Sequence, residues 1–153
     1  MNIQAELISI GTELLCGRTL NTHGRDLGAA LNAIVLELVR DTTIPDQIPT
    51  IAEAVGEALE RVDLVFVSGG LGPTTDDITR DALAELLQKK VILDAPTVEH
   101  LKQWYEDRGR TITLAATRQA QVLEGAVVLS NAEGAAPGQR IDFPDGKILF
   151  ILP

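Results

Sequence analysis

Apolar runs short enough for strands alternate along this chain with stretches of helical period. Residues 5–10 form a short apolar segment that stops at Gly11, and residues 21–32 place Leu27, Ala30 and Leu31 at helical spacing behind an Asn21-Thr22 cap. This predicts strand, loop, helix. A second strand is expected over 35–39, a second helix over 49–61 with Ile51, Ala54, Val55, Ala58 and Leu59 on one face, and a third strand over 64–68. Such alternation predicts parallel β-α-β units in an α/β domain.

The pattern continues past the third strand. Thr79 is the expected N-cap of a third helix, with Asp81 in its first turn and Ile78 stapled onto Leu83. Asp94 is expected to cap a fourth helix that sends Val98, Leu101, Trp104 and Tyr105 toward the core and stops near Gly109. A shorter helix is expected over 113–123. Short strands at 126–129 and 148–152 then alternate with turns at Gly134, Pro137-Gly138 and Asp145-Gly146.

Chemistry concentrates after the third strand, where Ser68 leads into Gly69-Gly70-Leu71-Gly72-Pro73-Thr74-Thr75-Asp76-Asp77-Ile78-Thr79. Glycines let main-chain N–H groups approach a ligand, and a following helix turns the positive end of its dipole toward an anion. Asp76 and Asp77 pull the other way, since a carboxylate about 4 Å from a phosphate costs ~1 kcal/mol in water and ~4 kcal/mol at an effective dielectric near 20. Either a cation sits between them, or the carboxylates face hydroxyl or N–H groups of a ligand whose phosphate lies elsewhere on the loop. The loop lacks the lysine of a P-loop, and a tight strand-to-helix connection is the plainer alternative.

Composition narrows the classes. A chain of 153 residues fits one domain burying roughly 68–70% of its unfolded surface, with no need of a disulfide or metal staple. Thirteen Lys and Arg against 22 Asp and Glu give a net charge of −9, which opposes a nucleic-acid backbone, so no DNA or RNA partner is expected. Cys16 has no partner cysteine, no charged-then-apolar leader follows Met1, and no apolar run approaches the ~18 residues of a membrane span, so a cytoplasmic location and no membrane partner are expected. Cys16 is expected to be a small, partly buried residue rather than a nucleophile.

Several segments together resemble the N-terminal domain of CinA-type competence/damage-inducible proteins, itself similar to the MoaB and MogA molybdopterin-biosynthesis fold. The segments are Ile10-Gly11-Thr12-Glu13-Leu14-Leu15-Cys16-Gly17, the glycine loop through Arg80, Arg118-Gln119-Ala120, Asn131, and Gly134-Ala135-Ala136-Pro137-Gly138. The resemblance covers nearly the whole chain. It implies a single three-layer α/β/α domain over residues 1–153 with a mostly parallel sheet, binding a nucleotide or pterin phosphate, and metal-dependent ADP-ribose pyrophosphatase activity in the CinA branch. Dimers or trimers are implied as well. By the same resemblance Asp77 lies at a functional aspartate position and Asp46 at a second acidic one. Two carboxylates from different loops suit a divalent ion, Mg2+ or a transition metal, and a water activated by it.

The sequence departs from that family at His23, where Asn is usual, at Val35, where a helix-ending Gly is common, and at Ala116, Leu123 and Ala135. It stops at Leu152-Pro153, just before the family's Gly-x-Pro turn, and contains no nicotinamide-nucleotide deamidase domain, so a trimmed fragment without that activity is expected.

Thr12 and Glu13 are candidate ligand or metal contacts, with a solvated turn as the alternative. Arg118 and Gln119 lie on a predicted helix, where the arginine would either neutralise a pyrophosphate or form a surface ion pair. The expected ligand-binding set is therefore Gly11, Thr12, Glu13, Gly69, Gly70, Gly72, Pro73, Thr74, Asp76, Arg118, Gln119, Gly134, Pro137 and Gly138, with Asp46 and Asp77 holding metal and carrying catalysis. His23 and His100 are expected to be surface residues, Trp104 and Tyr105 core, and Lys102, Arg108 and Arg110 solvated. Three functions compete: a metal-dependent hydrolase of ADP-ribose-type pyrophosphates, a MoaB/MogA-like adenylylating domain acting on molybdopterin, and a non-catalytic ligand-binding or assembly module.

Overall fold

A computed structural model describes residues 3–153. The first three strands, β1 (Gln4–Ile10), β2 (Glu37–Ile44) and β3 (Leu64–Ser68), are parallel neighbours in the order β2-β1-β3, joined through helices α1 (Thr12–Leu15), α2 (His23–Ala33) and α3 (Ile48–Arg61). Next come α4 (Thr79–Leu87), β4 (Val91–Leu93), α5 (Ala95–Glu106), a 3-10 turn over Ala116–Ala120, β5 (Gln121–Leu123), β6 (Val127–Leu129), β7 (Gly138–Asp142) and β8 (Ile148–Leu152). Strand β8 adds parallel to β3, and β7 and β6 extend the sheet antiparallel, giving the order β2-β1-β3-β8-β7-β6. The mostly parallel sheet stands as expected.

Strand alternation sorts the core into two faces. Ile8 and Ile10, Val65 and Val67, and Leu149 and Ile151 pack with Ile51, Val55, Ala58 and Leu83 of α3 and α4 on one side. Ala5, Leu7, Phe66 and Leu31 pack on the other side with Leu27 of α2, and Phe66 stacks on Phe150 at 4.7 Å. These are the three layers. Glu6, on the α3 face and 3% exposed, meets the Arg61 guanidinium in two bonds of 2.9 Å each. Among the described residues, no helix is long and apolar enough to cross a membrane.

Several expected boundaries move. The second strand occupies 37–44 rather than 35–39, because Val35 takes a left-handed φ of 61° and ends the α2 turn. As an edge strand paired only with β1, it also accepts the polar run Arg40-Asp41-Thr42-Thr43. The expected helix over 113–123 is a 3-10 turn followed by β5, since residues 121–123 pair antiparallel with Val91–Leu93. Neither β4 nor β7 is among the expected strands, and Gly138, expected in a turn, opens β7.

At the third helix, Ile78 is the N-cap and Thr79 the first helical residue, its hydroxyl turned back onto the Gly69 carbonyl at 2.8 Å. Ile78 is therefore not in the expected staple position. Asp94 does cap α5, accepting the Thr97 amide at 3.0 Å. Cys16 is exposed rather than partly buried, because the four-residue α1 buries nothing. Trp104 and Tyr105 are half-buried rather than core, and Arg108 is exposed as expected, its guanidinium lying over the Trp104 ring at 3.7 Å.

Candidate functional site

Strands β2, β1 and β3 end on one edge of the sheet, where open α/β sheets present ligand sites outside the carboxyl ends of their strands. The loops leaving them carry Asp46, Gly11-Thr12-Glu13 and the glycine stretch. The Gly11 amide donates to the Ile44 carbonyl at 3.0 Å, tying two of these loops together at their base.

The glycine loop is held from beneath. Gly69 and Gly70 have φ of 104° and 70°, and a Cβ on either would strike the Ile10 carbonyl oxygen or the Thr79 hydroxyl, so a side chain is excluded twice over. The Thr79 amide donates to the Gly70 carbonyl at 3.3 Å. Arg80, only 2% exposed, donates from Nη1 to the Leu71 carbonyl at 2.8 Å and from Nη2 to the Gly72 carbonyl at 3.0 Å. Burial, and then the nearby Arg118 charge, push the Arg80 pKa down, opposed by Asp77 and Asp81. In the sequence Arg80 stands out only as part of the glycine-loop motif. An arginine beside an aspartate in a first helical turn carries no outward sign of burial.

Two threonine-aspartate pairs shape the site. Asp77 Oδ2 accepts the Thr74 amide at 2.8 Å and the Thr74 hydroxyl at 2.7 Å, while Asp46 Oδ2 accepts the Thr12 amide at 2.8 Å and hydroxyl at 3.0 Å. Burial works to raise the Asp77 pKa, but the Thr74 hydroxyl and amide, the Gly72 backbone and the Arg80 charge outweigh it and the net shift is downward. At neutral pH Asp77 is a carboxylate.

Asp46 and Asp77 line one cavity of about 630 Å3 together with Thr12, Glu13, Gly69, Gly70, Thr74 and Asp76, which falls within the size of small-molecule sites. Cys16 and Arg18, neither expected there, line it as well. A second cavity of about 300 Å3 lies against the glycine loop and is lined by Gly70, Gly72, Asp77, Gln119, Asn131 and Gly134. Pro73, Arg118, Pro137, Gly138 and Gly11 line neither; Arg118 sits against the loop, donating to the Thr74 carbonyl at 3.0 Å, and Gln119 accepts the Tyr105 hydroxyl at 3.2 Å. His23 is exposed as expected, and its Nδ1 is 2.8 Å from Ser68 Oγ.

Among the described residues, no three His, Cys, Asp or Glu side chains gather as a metal cage. Two carboxylates at one cavity fit a hard divalent cation whose other ligands are water and phosphate oxygens, and they do not fit an enclosed ion such as structural zinc.

The family described as "Probable molybdopterin binding domain" matches residues 6–153. A CinA-like protein of Kosmotoga olearia is 43% identical over 151 residues, covering 99% of this chain and 36% of that protein. A CinA-like protein of Dictyoglomus turgidum is 37% identical over 151 residues, covering 99% of this chain and 36% of its own length. The chain therefore spans about a third of the curated relatives it matches. Among solved structures, the protein CinA from Thermoplasma acidophilum superposes with a TM-score of 0.87 at 31% identity, covering 99% of this chain and 88% of that one. MoaB from Thermus thermophilus superposes with a TM-score of 0.62 at 18% identity over 99% of this chain and 80% of that one, a likeness of fold.

Proposed function

The chain belongs to the molybdopterin-binding-type domain family of CinA-like proteins, and from that premise we propose that its larger cavity binds a nucleotide or pterin phosphate and hydrolyses an ADP-ribose-type pyrophosphate. One observation carries the reading: Asp46 and Asp77, from loops after different strands, line one cavity with the glycine loop, each oriented by a threonine. The loop's N–H groups bind phosphate, and the two carboxylates hold a divalent cation against it. When bound, such a cation would offset phosphate charge and acidify the attacking water. Thr12 and Thr74 keep both carboxylates oriented before the ligand arrives, which lowers the ordering cost of binding.

A second reading rests on the likeness to the MoaB fold: the same loop places the terminal phosphate of a pterin for adenylylation. In a third, the same cavity binds its ligand without turnover, as a non-catalytic binding or assembly module. Self-association as a dimer or trimer accompanies all three readings, and light scattering at tens of micromolar tests it.

Thermal-shift measurements with ADP-ribose, AMP and a molybdopterin-type ligand, each with Mg2+ and with chelator, separate the readings. A ligand at 100 times its Kd stabilises by about 2.7 kcal/mol. The hydrolase reading expects Mg2+-enhanced stabilisation by ADP-ribose and release of AMP. Stabilisation by the pterin alone favours the second reading, and binding without turnover the third.

A further inference from the structure

We infer that Arg80 and Arg118 are positioning residues that grip the glycine loop by its carbonyls, Arg80 setting the Gly72 N–H onto the Asp77 carboxylate and Arg118 turning the Thr75 N–H toward an anion in the larger cavity. The inference rests on the phosphate-binding reading of the cavity.

All described peptide bonds are trans, and in a trans peptide the C=O and the following N–H point in opposite directions. Arg80 draws the Leu71 carbonyl inward at 2.8 Å, so the Gly72 N–H must point away from the protein interior, toward Asp77. Arg118 holds the Thr74 carbonyl at 3.0 Å, alongside the Asp77 amide at 3.3 Å, so the Thr75 N–H points away from Arg118, and Thr75 lines the larger cavity. Gly72 is followed by proline, so the second carbonyl on Arg80 turns no N–H outward; it anchors the loop. Among the described residues, the N–H groups of Gly70 and Thr75 donate to no main-chain carbonyl.

Charge supports the same assignment. Arg80 is 2% exposed, yet none of the ion pairs among the described residues includes it. A buried guanidinium bonded only to carbonyls is costly unless something recovers that cost. Carbonyl dipoles recover part, and the Asp77 and Asp81 charges recover more, so the guanidinium can stay buried as a clamp on the loop. Arg118 is 31% exposed and only 3.9 Å from Asp81, a loose pair that leaves its stronger bond on the loop.

Inorganic pyrophosphate is the probe, titrated calorimetrically with chelator present, alongside hydrogen exchange of the Gly72 and Thr75 amides. Arg118→Met is expected to weaken pyrophosphate about tenfold, the worth of one charged hydrogen bond, with Tm unchanged and Thr75 exchange altered. Arg118→Lys restores affinity, because one ammonium reaches one carbonyl. Arg80→Lys keeps the charge but spans only one of two carbonyls, so affinity falls and Gly72 exchange changes. Should Arg80→Lys not fold, the Arg118 variants decide. Affinity within about twofold of wild type and unaltered exchange in Arg118→Met overturn the clamp. If wild-type protein ignores pyrophosphate, the phosphate reading fails by itself, while the amide exchange still supports or overturns the clamp.

Discussion

Thr74 gives both its amide and its hydroxyl to one oxygen of Asp77, at 2.8 and 2.7 Å. Thr12 does the same for Asp46 from a loop on a neighbouring strand. Each aspartate is thereby fixed in rotamer, with Oδ1 as the oxygen its threonine does not engage. Two such pairs facing one cavity make a preformed acidic pair rather than two mobile surface carboxylates.

Thr74→Ala is expected to raise the Asp77 pKa. Burial pushes it up, the Thr74 hydroxyl is the largest opposing influence, and alanine keeps only the amide. The wild-type pKa is depressed, so its contribution to stability is full above the ordinary carboxylate value and lost as pH falls through the lowered one. The variant should therefore begin acid unfolding at higher pH. Carboxyl 13C titration checks the pKa directly, and an Asp77 that titrates as in wild type refutes the argument.

Val35→Gly should stabilise the protein. Val35 is β-branched, 86% exposed and held at φ 61°, a conformation that costs of order 1–3 kcal/mol outside glycine. Glycine adopts it freely, though its looser unfolded state returns part of the gain. The net expectation is about 1 kcal/mol, or roughly 2–4 °C in Tm for a chain of this size, read by calorimetry.

Arg61→Met should destabilise, because it strands Glu6, whose side chain is 4% exposed, with only Arg40 at 3.9 Å. Losing one member of a buried pair costs about 3–5 kcal/mol, reduced here to about 2–3 since Arg61 is itself 36% exposed. Adding Glu6→Leu removes the stranded charge, so the double variant should recover most of the loss in a urea melt. A double variant as unstable as the single one would count against this account.

What the sequence reveals follows how local the cause is. Strands β1, β3 and β8 and helix α3 are legible because their apolar periods are set by the two faces they bury. Strand β7 is not, since Gln139 is 1% exposed only because its Oε1 accepts the Leu123 amide at 2.7 Å from a distant strand. The glycine loop and Asp77 stand out from residue types alone. Asp46 comes only through family resemblance, since its partnership with Thr12 spans 34 residues. Arg80 shows why part of the site stays hidden: its role depends on carbonyl directions, which no side-chain pattern encodes.

Asp77→Asn tests the divalent-ion reading most directly. An asparagine carbonyl still accepts the Thr74 amide and hydroxyl, so the loop should hold its shape and the fold survive. The other side-chain atom, however, becomes an N–H donor where a carboxylate oxygen had been. If a divalent cation bridges Asp46, Asp77 and phosphate, Mg2+-dependent hydrolysis of ADP-ribose should drop by orders of magnitude. With chelator present the expectation reverses, because removing a like charge leaves phosphate-ligand affinity unchanged or better, by up to the ~1–4 kcal/mol of Coulomb repulsion. Were Asp77 instead a direct acceptor from the ligand, chelated binding would weaken by ~1–3 kcal/mol as a charged hydrogen bond is lost. Calorimetric titration of both proteins under chelator separates the two, and weaker binding by the variant there rules out the bridging cation.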